Sequence, residues 1–136
     1  MRLTKAGGKT CPPTIVGVGI GGSADLCVHL AKLAATSRLL GSRCADEEGA
    51  KLEAELTQAV NRLGVGPQGL GGDSTAFAVH VEIAATHITM NPIAVNMQCH
   101  SARRARARIL ARESAVICGT AWVDAALLVA LDLQVG

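Results

Sequence analysis

The stretch TIVGVGIGGS, residues 14–23, decides the fold of this chain. Its first part, Thr14–Ile20, is apolar and rich in β-branched side chains, which predicts a buried strand. Two glycines then turn the chain, and Ser23 is a suitable N-cap for a helix from Ala24 to about Ala35. A buried strand that leads directly into a helix is typical of α/β proteins.

Elements of both kinds are predicted further along the chain. Asp46 can cap a second helix over residues 47–63, and strands are predicted over Thr75–Ile83 and Ile93–Met97. A last helix is predicted from Ser101 to about Arg112. We therefore expect an α/β fold with a mixed β-sheet flanked by helices.

The core is expected to consist of aliphatic side chains, because Phe77 and Trp122 are the only aromatic residues. Each of the first two predicted helices carries an apolar stripe at helical spacing, which should face this core. The stripes are Leu26, Leu30, Leu33 and Ala34 on the first helix, and Leu52, Leu56, Val60 and Leu63 on the second.

Length and composition limit the classes of protein to consider. The 136 residues suit one domain, and a net charge of +2 gives no argument for nucleic acid or a membrane surface. The apolar tail Ala121–Val135 is interrupted by Asp124 and Asp132 and is shorter than a membrane span. No apolar leader follows the basic start, and five cysteines without a leader indicate a reducing compartment. We expect a cytoplasmic protein.

A group of arginines falls within the predicted last helix. Because no aromatic side chains are interleaved with them, they favour a solvated or partner-facing helix over a nucleic-acid site. Some of them share one helix face at i, i+4 spacing. The group is Arg103, Arg104, Arg106, Arg108 and Arg112, and the shared face is that of Arg104, Arg108 and Arg112.

Two runs of the sequence are rich in glycine. Gly17–Gly22 fits the pattern G-x-G-x-x-G, for which three interpretations are open: a nucleotide site, an anion site for a carboxylate substrate, and close packing of strand on helix. Residues 39–46 make a poor second strand for a dinucleotide fold, so close packing is favoured over the nucleotide. The other run, residues 64–73, holds five glycines and a proline, which excludes regular structure.

Two cysteines and a histidine are candidate ligands. Cys11 precedes two prolines in a stiff loop that would hold its sulfur in place, although an ordinary buried cysteine is the alternative. His87 and Cys99 flank a turn and a short strand, so both can lie at strand ends; the spacing of a zinc motif is absent. The other histidines and cysteines are expected in the core or on the surface, or to be incidental: His29, His80, His100, Cys27 (core), Cys44 and Cys118.

Three runs, taken together and in order, resemble the α-type catalytic domain of class I fumarases and L-tartrate dehydratases. They are Cys11–Gly22, Leu63–Gly72 and Ala94–Arg104. The resemblance extends from about residue 4 to about residue 108. We therefore divide the chain into residues 1–112, the C-terminal portion of such a domain, and residues 113–136, an apolar tail without a match.

The resemblance implies a chemistry and a set of residues. Such enzymes are hydro-lyases that hydrate or dehydrate a small dicarboxylate, fumarate/malate or tartrate, through a [4Fe–4S] cluster held by three cysteines. Cys11 matches the second cluster ligand and Cys99 the third. His87 matches a catalytic histidine that contacts the substrate, and Gly21 and Gly22 belong to a stretch that shapes the substrate pocket.

The chain also departs from the family pattern. The first cluster cysteine of the family lies well upstream of the position of Cys11, and none of Cys27, Cys44 and Cys118 takes its place. The β subunit, or second catalytic domain, is absent too. The resemblance thus implies an oxygen-sensitive, oligomeric enzyme of which this chain is an incomplete part. A catalytically inactive remnant that keeps only the fold or a subunit interface is the alternative.

Overall fold

The computed structural model describes residues 5–101 and the backbone of residues 106–110 and 113–118. The chain forms two compact units, residues 1–102 and residues 103–136. In its described part, the first unit contains strands β1 (Thr14–Gly21), β2 (Ala76–Ala84) and β3 (Ile93–Gln98), and helices α1 (Ala24–Ser37) and α2 (Glu47–Asn61). Short 3₁₀ segments, Gly7–Thr10 and Pro67–Gly69, precede β1 and β2.

The strands form a mixed sheet in the order β2-β1-β3. Strand β1 lies in the centre, parallel to β2 and antiparallel to β3. Val16 of β1 is opposite Val79 on one side and Met97 on the other. This arrangement confirms the predicted α/β fold, and the three strands and first two helices lie within two residues of their predicted bounds.

Helix α1 lies directly against β1, backbone on backbone. A Cβ atom added at Gly17 would be 2.1 Å from the carbonyl oxygen of Ala31, and one at Gly19 would be 2.2 Å from that of Cys27. Atoms cannot approach so closely, so only glycine fits these two positions. The interpretation of this run as close strand–helix packing is therefore confirmed.

The predicted leucine stripe of α1 is wrong. Leu26 and Leu33 are 39% and 38% exposed, because the narrow gap between strand and helix admits only small side chains. Of the stripe, only Ala34 is buried, and Leu30 is half-buried. The buried residues of the helix are Cys27, Ala31, Ala34 and Ala35.

The stripe of α2 packs as predicted. Asp46 caps the helix by accepting a hydrogen bond from the Gly49 N–H at 2.9 Å. At the other end, Asn61 Oδ1 accepts from the backbone N–H groups of Thr75 and Ala76 and so fixes the start of β2. The core on this side consists of Val16, Val18, Val60, Ala76, Val79 and Val81, with Leu52, Leu56 and Leu63 packed against it.

A partly buried ion-pair network joins α1, α2 and β2. Arg38 Nη1 lies 3.2 Å from Glu53 Oε1 and 2.9 Å from Glu82 Oε1. The buried Glu53 also accepts hydrogen bonds from the backbone N–H groups of Val81 and Cys44. Because removal of one partner would leave a buried charge unpaired, deletion of the Arg38 side chain should cost this unit roughly 3 kcal/mol.

The predicted helix over residues 101–112 is wrong. In the second unit, strands β4 (Arg106–Leu110) and β5 (Glu113–Cys118) form an antiparallel pair in which Arg108 is opposite Val116. The arginines at positions 104, 106 and 108 also fit the period of two of a strand, and the following β-rich segment supplies a pairing partner. Because Arg108 lies in a strand, the predicted helix face that it would share with neighbouring arginines is wrong as well.

Several predictions lie outside the described residues. They concern Arg103, Arg104, Arg112, the side chain of Cys118 and the apolar residues 119–136. The division of the chain at residues 112 and 113 stays a prediction. Among the helices that the structure describes, none has the length and apolar character needed to span a bilayer.

Candidate functional site

Cys11 and Cys99 lie together at one end of the sheet. Cys11 precedes β1 and Cys99 follows β3, and since the two strands are antiparallel, these positions meet at the same edge. The backbone N–H of His100 donates to the carbonyl oxygen of Cys11 at 3.2 Å. This bond joins residues 89 positions apart in the sequence and brings the backbone at Cys11 next to the segment that carries Cys99.

Cys11 has an unusual backbone conformation. Its φ of 53° and ψ of 62° lie in the left-handed region, which costs a residue with a Cβ roughly 1–2 kcal/mol. The surrounding contacts must offset this cost. Its N–H donates to the Gly8 carbonyl at 3.0 Å, and its carbonyl accepts from His100. The side chain is exposed, so the thiol is presented to solvent on a fixed backbone.

The second glycine-rich run holds the loop of Cys11 in place. The backbone N–H of Gln68 donates to the Pro12 carbonyl at 2.9 Å, and the Gln68 side-chain amide donates to the same oxygen at 3.3 Å. Gly8 packs so tightly on this run that an added Cβ would lie 2.4 Å from the Gln68 carbonyl oxygen. The run therefore acts on the position of Cys11 through its backbone.

Cys99 has a hydroxyl group beside its sulfur. Its Sγ lies 2.6 Å from Ser101 Oγ, and hydrogen bonds from the Ser101 hydroxyl, then from its backbone, lower the pKa of Cys99. This contact favours the thiolate, which is the form of cysteine that binds metals. Cys99 is half-exposed and thus accessible to a ligand.

The two thiols suit an iron–sulfur group only as part of a larger set of ligands. Thiolates are the ligands of such clusters, and a four-iron cluster takes three or four of them. Within the part of the chain that the structure describes, no group of three or more His, Cys, Asp or Glu side chains is placed to hold a metal. An iron–sulfur cluster at this end would need a further ligand from outside these residues, as the motif resemblance implies.

Gly22 and His87 line a pocket at the other end of the sheet. The pocket has a volume of about 460 Å³ and lies where β1 and β2 end. His87 is exposed, and its Nδ1 lies 2.8 Å from the Thr89 hydroxyl oxygen and 3.3 Å from the Thr89 backbone nitrogen. The residues that line the pocket are Gly22, Ser23, Leu26, Ala85, Thr86, His87 and Met90.

Gly21 and Asp25 are close in sequence to the residues that line this pocket but are not among them. Gly21 does not line it: this residue is buried, has φ of +83°, and donates its N–H to the Pro92 carbonyl at 2.9 Å. The Ser23 side chain hydrogen-bonds to Asp25 and lowers the pKa of its carboxyl group. The N-terminus of α1 therefore already has a carboxylate beside it, which disfavours a phosphate there.

The predicted site residues thus form two groups. Cys11 and Cys99 occupy one end of the sheet, and Gly22 and His87 the other, separated by the length of β1. Eight strand residues span roughly 25 Å. No single small molecule can contact both groups of this unit at once.

Of the remaining histidines and cysteines, those that the structure describes lie in the core or near the surface, as expected; the side chain of Cys118 lies outside the described residues. His80 and Cys27 are each 1% exposed in the core, whereas His29 is on the surface. Cys44 is half-buried beside α2, and the half-buried His100 ring packs 5.6 Å from that of Phe77.

Sequence reasoning gave no individual role to three residues that build the site: Gly8, Gln68 and Ser101. The Cys-x-Ser spacing was a usable signal for Ser101. Nothing in the sequence connects Gly8 or Gln68 with Cys11, because their contacts are made by the backbone across a long separation.

Comparison with known proteins agrees with the motif resemblance. Residues 1–108 match the family "Fumarate hydratase (Fumerase)". A protein of Methanocaldococcus jannaschii named "Putative L(+)-tartrate dehydratase subunit alpha" is 50% identical over 107 residues, which are 79% of this chain and 37% of that protein. The L(+)-tartrate dehydratase subunit alpha of Escherichia coli K12 is 44% identical over 96 residues, 71% of this chain and 31% of that subunit.

The matches cover most of this chain but only part of each relative. The chain spans about a third of the length of the curated relatives that it matches. The matched part includes β1, both helices, β2 and β3, and with them all five predicted site residues. The chain belongs to the fumarate hydratase (fumerase) family.

Proposed function

We propose that this chain is part of the α-type catalytic chain of a hydro-lyase that adds water to, or removes it from, a small dicarboxylate such as fumarate/malate or tartrate. Family membership supports the reaction class. The observation that carries the proposal is the backbone hydrogen bond from His100 to Cys11, which joins the loop of Cys11 to the segment of Cys99 from a distant part of the sequence. Cys11 and Cys99 supply two ligands of a [4Fe–4S] cluster.

The residues of this end suit that role. A bound cluster supplies an open iron that acts as a Lewis acid toward the leaving hydroxide. The chain itself holds Cys11 on a fixed backbone and keeps Cys99 inclined toward its thiolate through Ser101. Under this proposal a third ligand comes from outside the described residues, and further catalytic groups come from a β subunit or second domain.

His87 is proposed as a catalytic and substrate-binding residue in the pocket that Gly22 lines, next to Gly21. Its imidazole ring, which Thr89 contacts through Nδ1, can donate a hydrogen bond to a substrate carboxylate or take part in proton transfer. Since a dicarboxylate is much shorter than β1, His87 cannot serve the cluster end of its own unit. It would serve a site completed by another chain, either the β subunit or a second copy in an oligomer.

Mixing of variants tests this assignment of His87. Co-expression of a Cys99→Ser chain with a His87→Asn chain, in the complete enzyme, should restore activity if each site takes its histidine and its cysteine from different copies. Two inactive variants that stay inactive together would assign the completing chain to the β subunit instead.

The alternative function is a truncated remnant that keeps only the fold or a subunit interface. It is favoured because only two of the four cysteines in the described part of the chain, Cys11 and Cys99, lie at the same end of the sheet, whereas the family uses three cluster ligands. Both proposals agree on a protein of the cytoplasm that works with partner chains, and they differ in whether iron is bound.

Anaerobic reconstitution distinguishes them. We would measure iron, sulfide and visible absorbance for the chain, for Cys11→Ser and Cys99→Ser, and for Cys44→Ser as the matched control. The hydro-lyase proposal expects iron that both site variants lose and the control retains, with a stable four-iron centre once the upstream segment is supplied. Equal, labile iron in all four proteins, even with the upstream segment present, would favour the remnant.

A further inference from the structure

The end of the sheet that carries Cys11 and Cys99 has a second chemical property, which depends only on the two thiols. If the ladder of β1 and β3 continued from the pair Ile15–Gln98, Cys11 would be opposite Ala102. Instead its carbonyl accepts from the N–H of His100, so the Pro12–Pro13 segment shifts Cys11 two positions toward Cys99. This bond places the Cα atoms of the two cysteines within roughly 5–7 Å, the range that a disulfide spans.

The other described cysteines lack such a neighbour. Cys27 is 1% exposed, and its thiol donates to the Gly19 carbonyl in the gap between α1 and β1. Cys44 lies next to Gly49 at the start of α2. Cys11, by contrast, is exposed, and Cys99 is half-exposed, so a soluble oxidant reaches both.

We propose that Cys11 and Cys99 form a reversible disulfide when no metal group is bound, and that this bond is a redox switch on metal-site assembly. The oxidant is a small-molecule disulfide such as oxidised glutathione. The formation of the bond requires no cluster; its role as a switch rests on the proposed function.

The reaction is balanced by thiol–disulfide exchange. The thiolate of one cysteine attacks a sulfur of oxidised glutathione, forms a mixed disulfide and releases one glutathione thiolate, which takes up the proton lost by the cysteine. The second cysteine, as its thiolate, then attacks the protein sulfur of the mixed disulfide and releases the second glutathione. In sum, two protein thiols are oxidised, one glutathione disulfide is reduced to two thiols, and no other reactant is needed.

The bond would block the metal site and preserve its parts. Each sulfur is committed to the other and offers no thiolate to iron, so assembly must wait for a reductant. The same bond closes a loop from residue 11 to residue 99 and protects both thiols from irreversible oxidation to sulfinic and sulfonic acids. Reduction restores the pair of ligands unchanged.

Peptide mapping of the full 136-residue chain tests the proposal. The chain is incubated without metal in a glutathione buffer, alkylated, and digested without reductant by trypsin and a protease that cuts before aspartate. The second cut separates Cys11 from Cys27, because it falls before Asp25. The expected product is peptide 10–24 joined to peptide 73–103, with two thiols lost per chain.

Variants make the outcome decisive. Cys11→Ser and Cys99→Ser should each abolish the joined peptides and leave the remaining cysteine as a mixed disulfide, whereas Cys44→Ser should not change them. Separate glutathione adducts on Cys11 and Cys99 in the parent chain, or pairing of either with Cys44 or Cys118, would overturn the proposal.

A second measurement separates this proposal from the proposed function. Oxidised chain should take up several-fold less iron than reduced chain, and treatment of the oxidised chain with dithiothreitol should restore its iron uptake. If the joined peptides form but neither form takes up iron with the upstream segment present, the disulfide stands and the hydro-lyase proposal fails. If the oxidised, joined chain takes up as much iron as the reduced chain, the switch is refuted.

Discussion

The two glycine-rich runs look alike in the sequence but do different work in the fold. In the first, Gly17 and Gly19 remove side chains so that α1 can lie on β1. In the second, Gly64, Gly66, Gly69, Gly71 and Gly72 all have positive φ and shape a loop whose Gln68 holds the segment of Cys11. The first run therefore acts on stability, and the second acts on the position of one candidate ligand.

This difference shows what a glycine pattern can and cannot say about function. The pattern G-x-G-x-x-G of the first run is associated with nucleotide binding, yet Gly17 and Gly19 are covered by helix backbone and no ligand can approach them. The second run is not associated with nucleotide binding, yet it contacts the loop of Cys11, a candidate metal ligand. In both runs, the role of the glycines follows from the backbone that they pack against.

The largest expected effect is from Gly17→Val. The new side chain would meet the backbone of α1, so we expect a loss of stability of about 3 kcal/mol, measured by urea denaturation. Gly41→Ala is the control, because its Cβ would have no neighbour within 4 Å and only its φ of +83° is unfavourable. Equal losses for the two variants would show that α1 can move away from β1 at little cost.

The next effect is from Gly69→Ala, in the second run. Its φ is +81° and an added Cβ would lie 2.6 Å from Gly8 Cα, so the loop before Cys11 should shift while the core remains. We expect a stability loss of roughly 1–2 kcal/mol, together with several-fold less iron uptake and disulfide formation. Gly64→Ala, with open space at φ of +64°, should lose stability but keep both properties.

The outcome of Gly69→Ala tests the comparison directly. If Gly69→Ala and Gly64→Ala behave alike in peptide mapping and iron uptake, the second run does not position Cys11 and the distinction between the runs is lost.

The sequence predicted the parts of the fold that depend on local pattern. The apolar run of β1, the Asp46 cap and the stripe of α2 each produced the element expected from them. The predicted leucine stripe of α1 was wrong because the helix lies so close to Gly17 and Gly19 that large side chains do not fit between helix and strand. Periodicity cannot show this, since it contains no information on the distance between two backbones.

The candidate site was predictable only in part. Cys11, Cys99 and His87 stand out through the resemblance, and the pairing of the two cysteines agrees with the antiparallel topology. The position of His87 at the opposite end follows from strand direction, which the sequence left open. The prediction of a helix around Arg108 was wrong for another reason: the even spacing of the arginines fits a strand as well as a helix.

A smaller effect is expected from Ser101→Ala. Loss of the hydroxyl contact should raise the pKa of Cys99, so its alkylation by iodoacetamide at neutral pH should slow. Cys44 in the same sample serves as the internal reference, read by mass spectrometry. An unchanged ratio of the two rates would show that Ser101 does not stabilise the thiolate.

The smallest effect concerns His80, the neighbour of Gly17 across the sheet. Burial, the main cause, lowers the pKa of His80; its Nδ1–H donates to the Ala34 carbonyl, and Nε2 has no partner among the described residues. The unfolded chain therefore takes up a proton before the folded one does, so stability should fall as pH drops below about 6.5.

Urea denaturation between pH 8 and pH 5 measures this dependence. His80→Gln should flatten the decline in that range, whereas His29→Gln, on the surface, should leave it unchanged. A parent protein whose stability does not change with pH below neutrality would contradict the assignment of a buried neutral ring.

The hydrogen bond between His100 and Cys11 has a consequence for protein synthesis. A ribosome adds roughly 5–20 residues per second, so Cys99 is made on the order of ten seconds after Cys11. During that interval Cys11 emerges from the ribosome before β3, the strand that leads to Cys99, has been made. The pair of thiols is therefore a product of completed folding, and any machinery that loads iron must act on a finished domain.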